Sequence, residues 1–286
     1  MLRGLIQAFR GLLVASAFFF FWGGAVVLSW TLCPVLTLTH RDEVRRWRAC
    51  QRVVMRAFRL FHGYMRVFRL VETIVEQDAV ARPSGPLVVV ANHPTLVDVT
   101  AILASYDNLC CVVKASLLEN VFVGPLLRMC GHITASDGEP MSGAAVMQEA
   151  QRRLAAGMSV LIFPEGSRSP RGEMRSFHRG AFELAMRCRV PLWPLVVTCN
   201  PPALSKGLPI WKHPVRMARQ RIHPGESFSV GEDARGSRQK VEARYRERLG
   251  LEPRAQCAED LRPRVRTPAA AAPLGGASRD EVPNSA

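Results

Sequence analysis

The segment Leu87–Asp98, with the sequence LVVVANHPTLVD, constrains the fold more strongly than any other part of the chain. It opens with four apolar residues, three of them valine, and such a run is typical of a buried strand. Asn92-His93-Pro94 follows, and proline is tolerated at the first position of a helix because it has no N–H to leave unpaired. We therefore predict a helix over residues 95–103. His93 is expected at the turn between strand and helix, where open α/β sheets bind ligands.

His93 and Asp98 are the polar residues of this turn that carry chemistry. Five positions of one regular helix turn by about 500°, so the two would not share a face if both were helical. If His93 precedes the helix and Asp98 lies in its first turns, the carboxylate reaches back to the ring and fixes its tautomer. The other ring nitrogen is then free to take a proton from a hydroxyl. The same spacing also occurs by chance, so a histidine without a catalytic role is the alternative for the pair alone.

The chain offers no evident nucleophile of its own beside this pair. No serine or cysteine stands next to His93, and no Gly-x-Ser-x-Gly elbow occurs in the sequence. A general base without a protein nucleophile indicates that the substrate supplies the attacking oxygen.

A second segment repeats the arrangement of a strand followed by a polar turn. An apolar strand is predicted over Ser159–Phe163, so Glu165 and Arg168 are expected just beyond its end. A glutamate can accept a hydrogen bond from a hydroxyl, and the planar guanidinium of an arginine can hold a phosphate or a carboxylate. Lys114 ends another predicted strand, over residues 109–114, and is placed to reach an anion in the same cleft. An ordinary surface lysine is the alternative there.

Together these two segments resemble the glycerolipid acyltransferases of the lysophosphatidic acid type. The residues that carry the resemblance are Asn92, His93, Asp98, Phe163, Pro164, Glu165, Gly166, Ser167 and Arg168. The blocks FHRGAF, at residues 177–182, and VPLWPL, at residues 190–195, resemble two later segments of the family. The similarity covers roughly residues 60–230, and the first two motifs, about 70 residues apart, are specific in combination.

The predicted strands and helices and the resemblance indicate the same architecture. We expect an α/β fold with a mixed, largely parallel sheet flanked by helices, an N-terminal hydrophobic membrane segment and an amphipathic helix. The resemblance implies a membrane-bound O-acyltransferase. Such an enzyme moves a fatty acyl group from an acyl thioester, carried on coenzyme A or acyl carrier protein, to the hydroxyl of a lysophospholipid such as 1-acylglycerol-3-phosphate.

The resemblance also implies a role for each residue of the motifs. His93 is expected to act as the general base and Asp98 to orient it, and backbone N–H groups of the His93 turn are expected to stabilise the oxyanion. The residues expected to bind the acceptor are Glu165, Gly166, Arg168 and Lys114. No metal is implied, and no cofactor other than the acyl donor, coenzyme A or acyl carrier protein.

The segment Gly131–Asp137 departs from the family pattern. Members of the lysophosphatidate type carry an arginine that contacts the acceptor phosphate where this chain has Asp137. A carboxylate in place of a guanidinium reverses the sign of the interaction with a phosphate. Arg128 and His132 are the candidates to replace that arginine. The alternative is the same chemistry on a different hydroxylated lipid or polyene acceptor.

The N-terminal 39 residues are predicted to be a membrane segment. Residues 11–39 contain no Lys, Arg, Asp or Glu, and the apolar run is long enough to cross roughly 30 Å of hydrocarbon. The run exceeds the signal-peptide core of about 7–15 residues, and no clear cleavage site follows. Gly23, Gly24 and Pro34 leave a re-entrant hairpin as an alternative to a single span. Arginines are more numerous after the segment, so we predict that the catalytic domain faces the cytoplasm, at the inner membrane in a bacterium.

Two further segments are basic and amphipathic. Residues 43–70 predict a helix with apolar residues at spacings of three and four and arginines between them. Its basic face either lies on an anionic membrane surface or is solvated while the helix packs on the domain. The segment Leu208–His223, which carries Trp211, contacts the membrane or an acidic carrier protein, or it is a solvated edge strand.

The formal net charge of +14 indicates an anionic partner. Beside a hydrophobic N-terminal segment this charge favours membrane lipids, and no nucleic acid is expected. A membrane-anchored anion-binding protein without catalysis and a hydrolase that uses His93 and Asp98 on water are the remaining alternatives. The eight cysteines include no Cys-x-x-Cys pair, which favours a reducing compartment and no metal site.

These observations predict four regions in the chain. They are a membrane segment (1–40), a basic amphipathic helix (41–70), an acyltransferase domain (71–250) and a tail (251–286). The tail is rich in proline, alanine and arginine, and we predict that it is disordered.

Overall fold

The structure, a computed structural model, describes residues 2–76, 82–135, 143–209 and 212–252, with side chains from residue 4 onward. All of these residues belong to one unit, Met1–Glu252. The predictions made for Asp137, for Trp211 and for the tail from residue 253 onward lie outside the described residues.

Helices and strands alternate along the described part of the chain. The helices are α1 (Leu2–Thr39), α2 (Glu43–Val67), α3 (Asp98–Ser105), α4 (Ala115–Leu118), α5 (Gly124–Met129), α6 (Ala144–Ala155), α7 (Gly180–Cys188) and α8 (Ala234–Arg248). The strands are β1 (Val71–Val75), β2 (Val88–Ala91), β3 (Leu109–Lys114), β4 (Ile133–Ala135), β5 (Ser159–Ile162), β6 (Pro191–Asn200), β7 (Ala218–Pro224) and β8 (Phe228–Ser229).

The strands form one mixed sheet in the order β1-β7-β6-β2-β5-β3-β4, and β8 pairs with β6. β2 runs parallel to both of its neighbours, β5 and β6, and β3 runs parallel to β5 and β4. β7 is antiparallel to β6 and parallel to β1. The prediction of a mixed, largely parallel sheet flanked by helices is therefore confirmed. Because β2, β5 and β3 are parallel, the turns that follow them emerge at the same edge of the sheet.

The central strand β2 is apolar throughout because both of its faces are covered. Val88 and Val90 pack in a cluster with residues of α6, α7 and α8, whereas Val89 and Ala91 pack in a second cluster with residues of α3. All four side chains are buried. A strand that is buried on both sides has no polar alternation, which explains the continuous apolar run in the sequence.

Helix α1 is a single continuous helix, so the described structure contains no re-entrant hairpin at Gly23 and Gly24. The helix is long and apolar enough, over Gly4–Thr39, to cross a membrane. One of its sides packs on α2, where the Phe21 ring stacks on Phe58 with ring centroids 5.9 Å apart. Its other side leaves many large apolar residues exposed, which are Leu5, Ile6, Phe9, Leu12, Phe19, Phe20, Trp22, Val27, Trp30, Val35 and Leu38.

The structure corrects the predicted starts of two helices. The helix after β2 begins at Asp98 and not at residue 95, because residues 92–97 form the turn and Pro94 lies in that turn. From the sequence a helix is also expected over residues 174–188. In the structure this helix begins at Gly180, because the backbone N–H groups of residues 175, 177 and 178 donate to Glu165, Glu242 and the Pro164 carbonyl. Those acceptors lie in other parts of the chain, so the local sequence pattern does not predict these bonds.

The structure also corrects the interpretation of residues 208–223 as a solvated edge strand. The strand formed there, β7, lies between β1 and β6, so it is second from the edge. The side chains of Ala218, Gln220 and Ile222 are fully buried. The strand reads as basic because Arg219 and Arg221 alternate with these buried residues.

Candidate active site

Asn92 marks the end of β2 and directs the chain out of the sheet. Its side-chain amide donates to the Val197 carbonyl at 2.8 Å and accepts from the Val197 N–H at 2.7 Å. The buried amide thus takes the place of a backbone pair with β6. His93 can therefore leave the sheet while the strand below it stays fully paired.

His93 is bound to Asp98 through its ring. The ring Nδ1 lies 2.8 Å from Asp98 Oδ2, and the carboxylate is completely buried. Because a carboxylate only accepts hydrogen bonds, Nδ1 carries the proton and Nε2 is left as the basic nitrogen. The ring also lies against Phe163, with ring centroids 4.4 Å apart and planes inclined by 30°. The arrangement holds the imidazole in a defined tautomer and orientation.

Asp98 receives hydrogen bonds on both of its oxygens. Oδ2 accepts from the His93 ring and from the Thr95 N–H at 2.7 Å. Oδ1 accepts from the Thr95 hydroxyl and from Gln220 Nε2 at 2.6 Å. These four donors offset the cost of removing a carboxylate from water. They also hold the carboxylate in one orientation toward the ring.

Glu165 lies beside the same turn but binds a different kind of partner. Its carboxylate accepts from the His93 backbone N–H at 2.8 Å, from the Ser169 hydroxyl and from the Arg175 N–H at 3.0 Å. Burial raises the pKa of the Glu165 carboxyl, and these hydrogen bonds oppose that rise. The Ser169 N–H also donates to the His93 carbonyl at 3.1 Å. The loop after β5 therefore holds both backbone polar groups of His93.

These contacts give Glu165 a supporting task that its position in the sequence does not indicate. Its predicted contact with the acceptor stays a prediction. Gly166, next to it, has a φ of +72° in the left-handed region, which favours glycine, and the turn of the loop depends on that conformation.

The two cations predicted to bind the acceptor lie at the same edge of the sheet as His93. The half-buried side chain of Arg168 donates from Nη1 to the Leu204 carbonyl at 3.4 Å. Lys114 is exposed at the end of β3, which is separated from β2 by β5. Neighbouring strands are about 4.8 Å apart, so Lys114 starts about 10 Å from the strand that carries His93.

The amides of His93, Thr95, Leu96 and Val97 donate to internal acceptors, so the predicted oxyanion site has no free donor at these four positions. The N–H groups of His93 and Thr95 donate to Glu165 and Asp98. Those of Leu96 and Val97 donate to the Leu204 carbonyl and to the Thr95 hydroxyl. Pro94 has no N–H. The donors with charge at this edge are the side chains of Arg168 and Lys114.

One candidate to replace the missing phosphate-binding arginine, His132, is not free for that role. His132 is buried, and its Nδ1 accepts the Cys111 N–H at 3.0 Å. Burial lowers the pKa of His132 to about 4, so the ring is neutral and a poor partner for an anion. The guanidinium of Arg128 donates to the Leu118 carbonyl. Among the residues that the structure describes, no group of three or more metal-ligating side chains converges.

The site falls within a segment that matches a known family. The model of the family described as Acyltransferase matches residues 72–198, which include every predicted site residue. A 1-acyl-sn-glycerol-3-phosphate acyltransferase of Pseudomonas aeruginosa is 29% identical over 196 residues, which are 66% of this chain and 71% of that protein. Residues 72–198 are therefore an acyltransferase-family segment, and the chain is similar to 1-acyl-sn-glycerol-3-phosphate acyltransferases.

Other acyltransferases are similar to this chain over shorter stretches or in fold. The human 1-acyl-sn-glycerol-3-phosphate acyltransferase alpha is 35% identical over 118 residues, which are 41% of this chain and 42% of the human protein. The chain thus spans less than half the length of the mammalian relatives that it matches. The crystal structure of PlsC, the 1-acyl-sn-glycerophosphate acyltransferase of Thermotoga maritima, has a TM-score of 0.62 and 19% identity. The structural match covers 87% of this chain and 95% of the Thermotoga maritima chain, and it shows that the two share a fold.

Four residues of this acyltransferase-family site were missed by the sequence analysis. They are Thr95, Phe163 as a ring contact, Ser169 and Gln220. Thr95, Phe163 and Ser169 lie in or next to the two motifs, so their position was a usable signal. Gln220 lies 122 residues from Asp98 in a strand that reads as basic, and no local pattern marks it.

Proposed function

We propose that this chain is a membrane-bound O-acyltransferase that moves a fatty acyl group from an acyl thioester to the hydroxyl of a lysophospholipid such as 1-acylglycerol-3-phosphate. The observation that carries the proposal is the His93–Asp98 pair, in which Asp98 holds Nδ1 and leaves Nε2 as a base. The hydroxyls of Thr95 and Ser169, which lie beside the pair, both donate to buried carboxylates. The attacking oxygen is therefore assigned to the acceptor.

The reaction follows from this geometry in two steps. The acceptor hydroxyl gives its proton to His93 Nε2 as its oxygen attacks the thioester carbonyl carbon, and Asp98 stabilises the imidazolium that forms. The tetrahedral intermediate then breaks its carbon–sulfur bond, and His93 returns the proton to the departing sulfur. The products are the acylated lipid and a free thiol on coenzyme A or acyl carrier protein.

The charged side chains beside the base favour an anionic acceptor. Arg168 and Lys114 border the cleft from the turns after β5 and β3, and a guanidinium binds phosphate oxygens in pairs. Glu165 supports this site because its carboxylate accepts a hydrogen bond from the backbone N–H of His93. We assign acceptor binding to Arg168, with Lys114 as a second cation.

Helix α1 supports a location of the site at a membrane surface. The side chain of Arg10 donates to the carbonyls of Pro214 and Arg69, and Leu36 packs in a cluster with residues of α2 and α5. Arg10 and Leu36 are about 39 Å apart along the helix axis, so α1 lies beside the domain for most of its length. We therefore propose that α1 lies in the plane of the membrane interface with Phe19 and Trp30 immersed, which differs from the span predicted from hydropathy. The cytoplasmic side remains the predicted location.

An acyl-transfer assay tests the proposal directly. Purified protein in vesicles would receive labelled acyl-coenzyme A or acyl carrier protein together with 1-acylglycerol-3-phosphate. We expect labelled phosphatidic acid from the wild type and none from His93→Ala. His40→Ala, at the end of α1, is the matched histidine control and should keep full activity. Folded wild-type protein that gives no product with either donor would contradict the lysophosphatidate assignment.

A different acceptor is the second candidate, and Asp137 is the observation that favours it. A carboxylate stands where the lysophosphatidate type has a phosphate-binding arginine. The same assay with uncharged hydroxylated lipids distinguishes the two candidates, since His93-dependent label would then appear in those lipids. A protein that only binds anions would show no His93-dependent label in any lipid, and free fatty acid without an acceptor would indicate a hydrolase.

A further inference from the structure

Gln220 is a fully buried residue of β7 that contacts the acid of the pair directly. Its Nε2 lies 2.6 Å from Asp98 Oδ1 and 3.2 Å from the Thr95 hydroxyl oxygen. Because the carboxylate only accepts, the amide nitrogen of Gln220 must face Asp98 and its oxygen must face the other way. The direction of this one hydrogen bond sets the direction of those that follow.

The next contact runs along the neighbouring strand. Thr73 of β1 is the register partner of Gln220, and its hydroxyl lies 3.1 Å from Gln220 Oε1. An amide oxygen only accepts, so Thr73 donates its one hydroxyl proton to Gln220. The Thr73 oxygen is then left to accept from His62 of α2, whose Nδ1 lies 2.9 Å away.

The chain of hydrogen bonds ends at His62 and Thr100. His62 carries its proton on Nδ1, so its Nε2 accepts from the Thr100 hydroxyl at 2.9 Å. That hydroxyl also lies 2.9 Å from the Val97 carbonyl, but only the bond to Nε2 satisfies the ring. Burial lowers the pKa of His62 to about 4, while the charge of Asp98 acts in the opposite direction. The ring is therefore neutral near pH 7.

We propose that Gln220 is a positioning residue of the His93–Asp98 pair and that Gln220, Thr73 and His62 form a hydrogen-bond relay behind it. The relay fixes Asp98 with Oδ2 toward the ring of His93. It draws part of the carboxylate charge to Oδ1 and so sets how strongly His93 holds a proton. It also joins the base to helix α2, on which α1 packs. This inference rests on the proposed function for its effect on catalysis.

Two substitutions at Gln220 test the relay. Gln220→Met has a similar length but neither donates nor accepts. More of the Asp98 charge then acts on His93, so we expect kcat to fall about tenfold and the acid limb of the pH–rate profile to move upward by about half a unit. Gln220→Glu places a carboxyl that donates to Asp98 only while protonated. Its activity should fall as the pH rises through a range in which the activity of the wild type increases.

Two substitutions at Thr73 form a matched pair, and both leave Asp98 and its direct partners in place. Thr73→Val has nearly the same shape but cannot donate to Gln220 or accept from His62. We expect a shift of the acid limb in the same direction as for Gln220→Met, but smaller. Thr73→Ser keeps the hydroxyl and should bring the profile back toward that of the wild type. A purely structural role of Thr73 would lower the thermal midpoint without moving the profile.

A second readout needs no substrate and separates this inference from the proposed function. The rate at which diethyl pyrocarbonate modifies His93, followed by peptide mass spectrometry against pH, gives the ionisation of the ring. The carboxylates that face His93, Asp98 and Glu165, are unchanged in every variant. If the wild type transfers no acyl group yet Gln220→Met shifts this ionisation, the relay stands and the proposed function fails. If the wild type is active and folded Gln220→Met and Thr73→Val leave both the profile and the ionisation unchanged, the relay is overturned.

Discussion

Two buried carboxylates at the ends of neighbouring strands illustrate how one chemical group serves two purposes. Asp98 follows β2, Glu165 follows β5, and both are almost completely buried. Asp98 binds the ring of His93, whereas Glu165 binds the backbone N–H of the same residue. Asp98 sets the tautomer of the base, and Glu165 sets the position of its backbone. Residue type and motif position alone do not distinguish these tasks, because the partners decide them.

The comparison separates effects on chemistry from effects on structure. A change at Asp98 alters the ring that reacts, while the turn still has Glu165 and Ser169 to hold its backbone. A change at Glu165 removes an acceptor for the backbone of the turn, while the His93 ring keeps its hydrogen bond to Asp98. Four experiments sharpen or break this distinction.

Asp98→Asn is expected to have the largest effect. Asparagine has one acceptor atom where Asp98 has two, so either the His93 ring or Gln220 loses its acceptor. We expect kcat to fall by about 10³-fold or more together with a lower thermal midpoint, because each buried oxygen of Asp98 accepts from two donors. The two residues act as a unit, so adding Asp98→Asn to His93→Ala should lower the activity no further. A folded Asp98→Asn variant with near wild-type kcat would break the comparison.

Glu165→Ala and Glu165→Gln test the second carboxylate. Alanine leaves the His93 and Arg175 N–H groups without acceptors, and each such buried group costs about 1–3 kcal/mol. We expect a lower thermal midpoint together with lost activity. Glutamine keeps one oxygen and should retain the fold, with activity reduced about 10- to 100-fold. If Glu165→Ala is stable and only raises KM for the acceptor, then Glu165 binds the acceptor directly.

Arg168→Ala separates acceptor binding from both carboxylates. The side chain belongs to the loop of Glu165 but lies half-buried at the cleft. We expect KM for 1-acylglycerol-3-phosphate to rise about tenfold with a smaller change in kcat, since charge-assisted bonds to phosphate are worth about 1.5–3 kcal/mol. Arg179→Ala, in an exposed pair with Glu183, is the matched control. An equal loss with an uncharged hydroxylated acceptor would contradict phosphate binding.

The buried imidazole of His132 should make the stability of the protein depend on pH, with a smaller effect than the substitutions above. The pKa of His132 is about 4 in the folded protein, below its ordinary value of 6.5. Between these values the unfolded chain binds a proton that the folded chain does not, so the free energy of unfolding falls as the pH is lowered from 6.5 to 4. The contribution of His132 is at most about 3 kcal/mol. His132→Asn keeps an acceptor for Cys111 and should flatten this decline, measured as thermal midpoints at several pH values. An unchanged slope would show that His132 does not titrate in this way.

Parts of this structure were predictable because they depend on local spacing. The apolar runs at β2, β3 and β5 marked buried strands, and their parallel arrangement brought the turns that follow to one edge. His93 and Asp98 lie in one turn, so their contact needed no distant element. The start of α3 at Asp98 was missed because Asn92, His93 and Leu96 take their acceptors from β6, from the loop after β5 and from residue 204.

The sequence by itself determined the buried strands, the polar turns at their ends and the pairing of His93 with Asp98, because each depends on residues close together in the chain. Only the tertiary structure decided what Glu165 holds and what holds Asp98. The hydrogen bonds of Glu165 to His93 and of Gln220 to Asp98 bridge 72 and 122 residues. A buried polar group must find its partner wherever the fold brings one, and sheet order, not sequence spacing, sets that choice.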